Sequence, residues 1–267
     1  GVNDAPTLKR ADIGISMGIT GTDVTKQASD MVLADDNFAT IVNAVEEGRK
    51  IYDNIRKVLQ FQLSTNTAEV IYVFLASAFG ITVVTPAQLL WINMVTDSTP
   101  GLALGMEKAE GNLMKRKPRN SNEGVFSDGA GSSMIIHGVI MASIVLISFF
   151  IGQYIELGHY GVFESVDGMT MAFLTANLVE MFYAICMRTQ KGSIFKMKTR
   201  NKWLLGSFML SLIFTAGVIY IPALSNLFGL ATISFKEFAI AFGLAFLVIP
   251  ITEIAKYFQR RKTNEES

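Results

Sequence analysis

Six apolar blocks of membrane-span length constrain this chain more than any other feature. They lie near residues 58–80, 86–106, 132–155, 169–187, 203–222 and 237–256. A helix needs roughly 20 apolar residues to cross the hydrocarbon core of a bilayer. Only 17% of the 267 residues are charged, and mean hydropathy is +0.37. A soluble domain carries about a quarter charged residues, so the expectation is mainly α, a polytopic six-helix transmembrane bundle in a lipid bilayer. Net charge is zero, which gives no reason to expect a nucleic-acid partner. The single cysteine, Cys186, excludes an intrachain disulfide. His137 and His159 stand apart and suggest no metal site.

Lysine and arginine assign the sides of the membrane. The connection 107–131 contains KRKPR at 115–119, the connection 188–202 holds six basic residues, and the tail carries Lys256 and QRRK. The turn at 80–86 and the loops 156–168 and 222–235 hold none. This alternation predicts that the N-terminal segment and the C-terminal tail are both cytoplasmic.

Residues 1–50 read differently. ADIGISMG (11–18) fits a strand ending in a turn, and GTDVTKQASD (21–30) fits a helix capped by Thr22 or Asp23. MVLA (31–34) is a second short strand, after which Asp35 or Asp36 can cap a helix. Phe38, Ile41, Val42 and Val45 recur on one face of that helix. This is the texture of the end of an α/β domain. Fifty residues are too few to bury a core alone, so an upstream part of the same polypeptide is the expected partner. With no stop signal before the first apolar block, one helix should continue from the soluble part into the membrane. The expected domains are 1–50, the end of the α/β domain with the start of a stalk helix; 51–257, the transmembrane part; and 258–267, a cytoplasmic tail.

Polar residues interrupt the spans. Asn66 and Glu69 stand three apart in STNTAE, Asn93, Thr96 and Asp97 at i, i+3 and i+4 in LLWINMVTDSTPG, and Glu180 in LVEM. A charged side chain at the bilayer centre costs on the order of 2.5–3.5 kcal/mol even on insertion scales. Three carboxylates, two amides and a hydroxyl form an oxygen-rich set suited to a hard cation such as Ca²⁺, Na⁺ or Mg²⁺. Pro100 and Gly101, which follow Asp97 closely, are expected to loosen the helix and free backbone carbonyls. Glu253, near Lys256, reads as structural or interfacial.

The same residues resemble a known family. GVNDAPTLKRADIGISMG (1–18) resembles the hinge segment of the P-type ATPases, LLWINMVTD the sixth transmembrane helix of their calcium-transporting branch, STNTAE the fifth, and LVEM the eighth. The resemblance covers essentially the whole chain. It implies a Rossmann-like phosphorylation domain ending near residue 50, and a C-terminal part of an ATP-driven pump that exports Ca²⁺ from the cytoplasm. By this resemblance Asn66, Glu69, Thr96, Asp97 and Glu180 match the family's first Ca²⁺ site. Asn93 and Asp97 match the part of the second site carried here. Asp4, preceded by Asn3, matches the second aspartate of the hinge motif, beside the phosphorylation site and its Mg²⁺. The phosphorylated DKTGT motif, the nucleotide domain that takes ATP, and four further spans are not in this sequence. The chain alone is therefore not expected to hydrolyse ATP. Carboxylates left without a cation in a dry site are expected to take up protons, giving Ca²⁺/H⁺ exchange. A pump for Na⁺, H⁺/K⁺ or Mn²⁺ and a non-enzymatic channel or scaffold remain alternatives. Short loops and a short tail point to a bacterial plasma membrane.

Overall fold

The computed structural model describes residues 1–267 except 120–123, 125, 128, 163, 191, 266 and 267, with the backbone alone for 262–265. Lys191, one of the basic residues of the 188–202 connection, and the end of the tail thus lie outside the described residues. The chain divides into two compact units, Gly1–Tyr52 with Gly111–Lys117, and Asp53–Glu110 with Pro118–Ser267.

In the first unit a short 3₁₀ turn, Val2–Asp4, leads into α1 (Ala5–Arg10). Strands β1 (Ile15–Met17) and β2 (Met31–Leu33) pair in parallel, with Ile15 opposite Met31 and Met17 opposite Leu33. Helix α2 (Asp23–Ala28) forms the crossover between them, and Thr22 is its cap, accepting from the Thr25 amide at 3.4 Å. The next helix, α3 (Ala39–Ala78), is capped by neither expected aspartate. Asn37 Oδ1 accepts from the Ala39 amide at 3.0 Å, and Asp35 accepts from the Asn37 amide and the Thr40 hydroxyl. Asp36 turns back instead, with φ 50°, and accepts from the amides of Ile19 and Thr20, both at 2.7 Å. Left-handed backbone suits an aspartate better than a bulkier residue. Those bonds, with the Thr20 hydroxyl as a third donor, hold the Asp36 carboxyl down at about 2. Phe38, Val42 and Val45 are exposed. Arg49 donates to the carbonyls of Leu113 and Arg116, fastening 111–117 to this unit.

Helix α3 runs unbroken for 40 residues, as its lack of a stop signal predicts. It carries the chain into the second unit. There follow α4 (Pro86–Trp91), a π-helical segment (Ile92–Asp97), α5 (Ser98–Gly105), α6 (Ala130–Leu157), α7 (Val166–Cys186), α8 (Lys202–Tyr220), α9 (Pro222–Phe228), α10 (Phe235–Phe246) and α11 (Val248–Glu265). Caps set several starts: Ser165 for α7, Asn201 for α8, and reciprocal Thr85–Gln88 and Ser234–Glu237 boxes for α4 and α10. Pro250, in the first turn of α11, accounts for the break after α10, since it removes one amide from the helical ladder. Residues 258–265, expected as tail, continue α11.

Among the described residues, four helical stretches are long and apolar enough to cross a membrane: 130–157, 166–186, 202–220 and 235–261, the last made of α10 and most of α11. Two of the six expected spans fall short of that standard. Gln60, Gln62, Asn66 and Glu69 dilute the apolar part of α3, and 86–105 is divided into three short pieces. Helix α7 forms the centre. Its apolar stretch is 89% buried, against 33–50% for the other three, and it is packed by α6, α8, α10 and α11. The outer helices expose Ile135, Val139, Ile213, Phe214 and Phe258 while burying Ser148, Gln153, Ser211 and Thr252. Apolar residues outside and hydrogen-bonding ones within is the pattern of a membrane protein. Glycines set the closest crossings. A Cβ on Gly152 would lie 2.8 Å from Gly168 Cα, and one on Gly138 would lie 2.6 Å from Thr67 Cγ2. Phe149 is fully buried against Phe150, as packing residues should be. Glu253 pairs with Lys256 at 3.2 Å, and Lys256 also donates to the carbonyls of Cys186 and Thr189.

Candidate cation site

The site is built where the irregular segment 92–97 lies between α3 and α7. A π-helix closes i→i+5 bonds in place of i→i+4 and occurs most often at functional positions. The irregularity precedes Pro100 and Gly101, which sit inside α5, so the loosening falls on Asn93, Thr96 and Asp97 themselves. Pro100 has no amide to offer the carbonyl of Thr96, so a regular α-helix could not continue through that turn. The Ser98 hydroxyl, donating to the Asn93 carbonyl at 3.1 Å, and the Thr99 hydroxyl, donating to Val95 at 2.9 Å, satisfy two of the displaced groups.

Three contacts define the arrangement. The Asn93 amide donates to both oxygens of Glu69, each at 2.9 Å, and to the Leu89 carbonyl. The Thr96 hydroxyl donates to Asn177 Oδ1 on α7. Asp97 Oδ2 accepts from the Thr65 hydroxyl at 3.3 Å. The carboxyl of Asp97 also meets that of Glu180 and lies in the field of Glu69. Asp97 is 1% exposed and Glu180 3%. One oxygen of each, Asp97 Oδ1 and Glu180 Oε2, is buried and finds no donor while both groups are ionised, though a proton shared between the two carboxyls would bond them; the Tyr72 hydroxyl nearby has no partner. Buried carboxylate oxygens without donors are costly. Two ionised carboxylates in contact repel each other, and either a cation or a proton relieves that repulsion.

The structure therefore brings Glu69, Asn93, Thr96, Asp97 and Glu180 together. It does not bring Asn66 to them. Asn66 is exposed, because the face of α3 that packs inward is centred on Thr65, Ala68, Glu69 and Tyr72, and Asn66 lies one residue off it. Among the described residues, no three acidic, histidine or cysteine side chains converge as one metal-holding group; Asn93 takes up both Glu69 oxygens. Thr65, Tyr72, Asn177 and Thr215 escape the sequence reading. Asn177 accepts from the Thr96 and Thr215 hydroxyls and donates to the Phe173 carbonyl. The available signal was spacing: Asn177 stands three residues before Glu180, and Thr65 and Tyr72 stand four before and three after Glu69. In the first unit Asn3 and Asp4 are both exposed. One exposed carboxylate beside an amide falls short of a Mg²⁺ or ATP site.

A family model described as "Cation transporting ATPase, C-terminus" matches residues 81–258, about two thirds of the chain. The chain belongs to this family. As a C-terminal cation-transporting ATPase segment it is similar to "Calcium-transporting ATPase 1" of Bacillus cereus, 39% identical over 268 residues covering 96% of this chain and 30% of that protein. It is 38% identical to "Calcium-transporting ATPase" of Bacillus subtilis over 98% of this chain and 29% of that protein. It is 36% identical to "Calcium-transporting ATPase 2, endoplasmic reticulum-type" of Arabidopsis thaliana over 97% of this chain and 30% of that protein. The chain thus spans less than a third of the length of these relatives.

Proposed function

We propose that this chain is the cation-carrying part of an ATP-driven Ca²⁺ pump of the P-type, exporting Ca²⁺ from the cytoplasm in exchange for H⁺. The observation that carries the proposal is the Asp97–Glu180 pair. Two buried carboxyls from the π-helical segment and α7 meet with an unpartnered oxygen on each. Hard oxygen ligands suit Ca²⁺, and the printed names of the relatives support that ion over other hard cations. Asp97 and Glu180 act as ligands, Glu69 joins them as Asn93 releases it, and Thr96 is positioned by Asn177. When the cation leaves, the same carboxyls carry protons back, because mutual repulsion in a dry site is relieved by protonation. ATP and Mg²⁺ act outside this chain, in a longer protein whose hinge includes Asn3 and Asp4. Blocks 58–80 and 86–106 cross the membrane with the four apolar helices, and both ends of the chain face the cytoplasm of a bacterial plasma membrane. Domains 1–50, 51–257 and 258–267 divide these roles.

The test is phosphoenzyme formation from ATP against free Ca²⁺ in the full-length protein reconstituted in vesicles, wild type and Asp97→Asn. Ca²⁺-dependent phosphoenzyme, lost in the variant, is the expected result. Dependence on Na⁺, K⁺ or Mn²⁺ would overturn the ion. Absence of a phosphoenzyme under every cation would overturn the pump.

A further inference from the structure

A second site lies at the start of α8. Helices α5 and α8 are pinned together by Asn201 Nδ2, which donates to the Ala103 carbonyl at 2.8 Å, and by the Thr99–Ser211 hydroxyl pair at 3.2 Å. Between their ends opens a cavity of about 230 Å³ lined by Met106, Lys108, Arg200, Asn201, Lys202 and Trp203, with Glu107 at its back. Its charge is one-sided. The Glu107 carboxylate is already committed to Arg188, with both oxygens accepting at 3.0 Å, and to Asn201 at 2.9 Å. Among the described residues no acidic side chain pairs with Lys108, Arg200 or Lys202. The first turn of α8 adds backbone amides and the positive end of a 19-residue helix.

The surroundings of the cavity identify the occupant. Helix α8 is one of the four apolar enough to cross a membrane, and Lys202 is its first residue. The cavity therefore sits at the level where headgroups begin. Trp203 is 69% exposed there, the residue type that anchors at this depth. An apolar strip continues from it along both helices: Leu102 lies one turn before Met106 and Leu210 two turns after Trp203, and all are exposed. A soluble anion would use the charges and leave this strip uncovered. A lipid uses both.

We propose that this cavity binds the headgroup of an anionic phospholipid, with Lys108, Arg200 and Lys202 on the phosphate and the acyl chains along Leu102, Met106 and Leu210. The site is separate from the cation-binding residues and stands whether or not the transported ion is Ca²⁺.

The experiment is native mass spectrometry of the full-length protein in detergent, titrated separately with phosphatidylglycerol, phosphatidylcholine and inorganic phosphate. The variants are Lys108→Gln/Arg200→Gln/Lys202→Gln and a control that removes three charges elsewhere, Lys9→Gln/Arg10→Gln/Lys115→Gln. At roughly fivefold per basic side chain, the first variant should lose about 100-fold in phosphatidylglycerol affinity. The control should stay within about twofold, and phosphatidylcholine should bind weakly and equally to all three proteins. Equal losses in both variants would show general electrostatic attraction and overturn the proposal. Saturation by inorganic phosphate that displaces phosphatidylglycerol would assign the cavity to a soluble anion and overturn it too. A single charge-retaining variant, Trp203→Leu, should weaken phosphatidylglycerol binding while leaving the charges intact; unchanged binding there, with the triple variant misfolded, would also overturn it.

Discussion

The pair formed by Arg188 and Glu107 ties four segments of the second unit, and its removal has a calculable cost. Arg188 Nε and Nη2 each donate to Glu107 at 3.0 Å, and Nη2 also donates to the Thr199 carbonyl at 2.7 Å. Glu107 is 2% exposed, and its own carbonyl accepts from Asn54 of α3 at 2.8 Å. Burial alone would push the Glu107 carboxyl up, but hydrogen bonds from Arg188 and Asn201, with the charges of Arg188 and Lys57, outweigh it and hold the group below 4.5. In Arg188→Ala the carboxylate stays buried with Asn201 as its remaining donor. Breaking a buried pair from one side costs about 3–5 kcal/mol, and the partial exposure of Arg188 places the value near the lower end. At about 2–4 °C per kcal/mol for a unit of this size, the midpoint should fall by roughly 6–12 °C. Cys186, fully buried on the last turn of α7, supplies the probe. Its labelling by a thiol-reactive fluorophore on heating, in full-length protein with other cysteines replaced, reports this unit. Two further results follow from the sign of the charge. Glu107→Gln/Arg188→Ala should recover at least half of the loss. The single variant should also gain stability as pH falls from neutral, as protonation relieves the unpaired carboxylate, whereas the wild-type pair, whose carboxyl is held below 4.5, loses its contribution only as pH falls below that value. A shift under 2 °C, or a double variant no better than the single one, would refute an uncompensated buried charge as the cause.

Four other substitutions have expected outcomes. Gly152→Ala places a methyl 2.8 Å from Gly168 Cα and 2.9 Å from the Asp167 carbonyl, backbone that cannot move aside; it should cost about 1–3 kcal/mol in the same thermal assay. Gly243→Ala, into open space on α10, should instead gain about 0.5–1 kcal/mol. Asp36→Asn should speed deuterium uptake across 17–21 at neutral pH. Because the Asp36 carboxyl is lowered from 3.8 to about 2, the wild-type loop should hold above pH 4 and open as pH falls towards 2. Asn177→Leu leaves the Thr96 and Thr215 hydroxyls without their acceptor in a fully buried place. It should lower the midpoint by the equivalent of about 1–3 kcal/mol for each hydroxyl left unsatisfied, and it should weaken Ca²⁺ dependence of the phosphoenzyme without abolishing it.

What local sequence determines was legible. Thr22 as a cap, the two short strands and the unbroken α3 follow from side-chain chemistry and spacing within a few residues. What a distant partner determines was not. Asp36 is an adequate cap by its neighbours, but the amides of Ile19 and Thr20, some seventeen residues back, compete for it and win. Spacing of three put Asn66 beside Glu69, yet spacing alone leaves the centre of a helix face open by more than half a turn. The position of the 92–97 segment fixes it on Thr65 and Glu69 and turns Asn66 outward.

The same limit explains why two expected spans look poor as spans. The residues that lower the hydropathy of α3 and divide 86–105 include those that meet in the site. In an unbroken α-helix Asn93, Thr96 and Asp97 would share one face and could address one neighbour. Across the π-helical segment they address two: Asn93 reaches Glu69 on α3, Thr96 reaches Asn177 on α7, and Asp97 lies between Thr65 on one and Glu180 on the other. Local departure from α-helical geometry thus allows one short segment to serve both walls. Helix α7, the most buried of the four apolar helices, supplies the fixed wall. Ionised together, Asp97 and Glu180 would repel in such a place, so a cation or a proton must accompany them. A site that binds a cation, releases it and takes protons in its stead would meet that condition in every state.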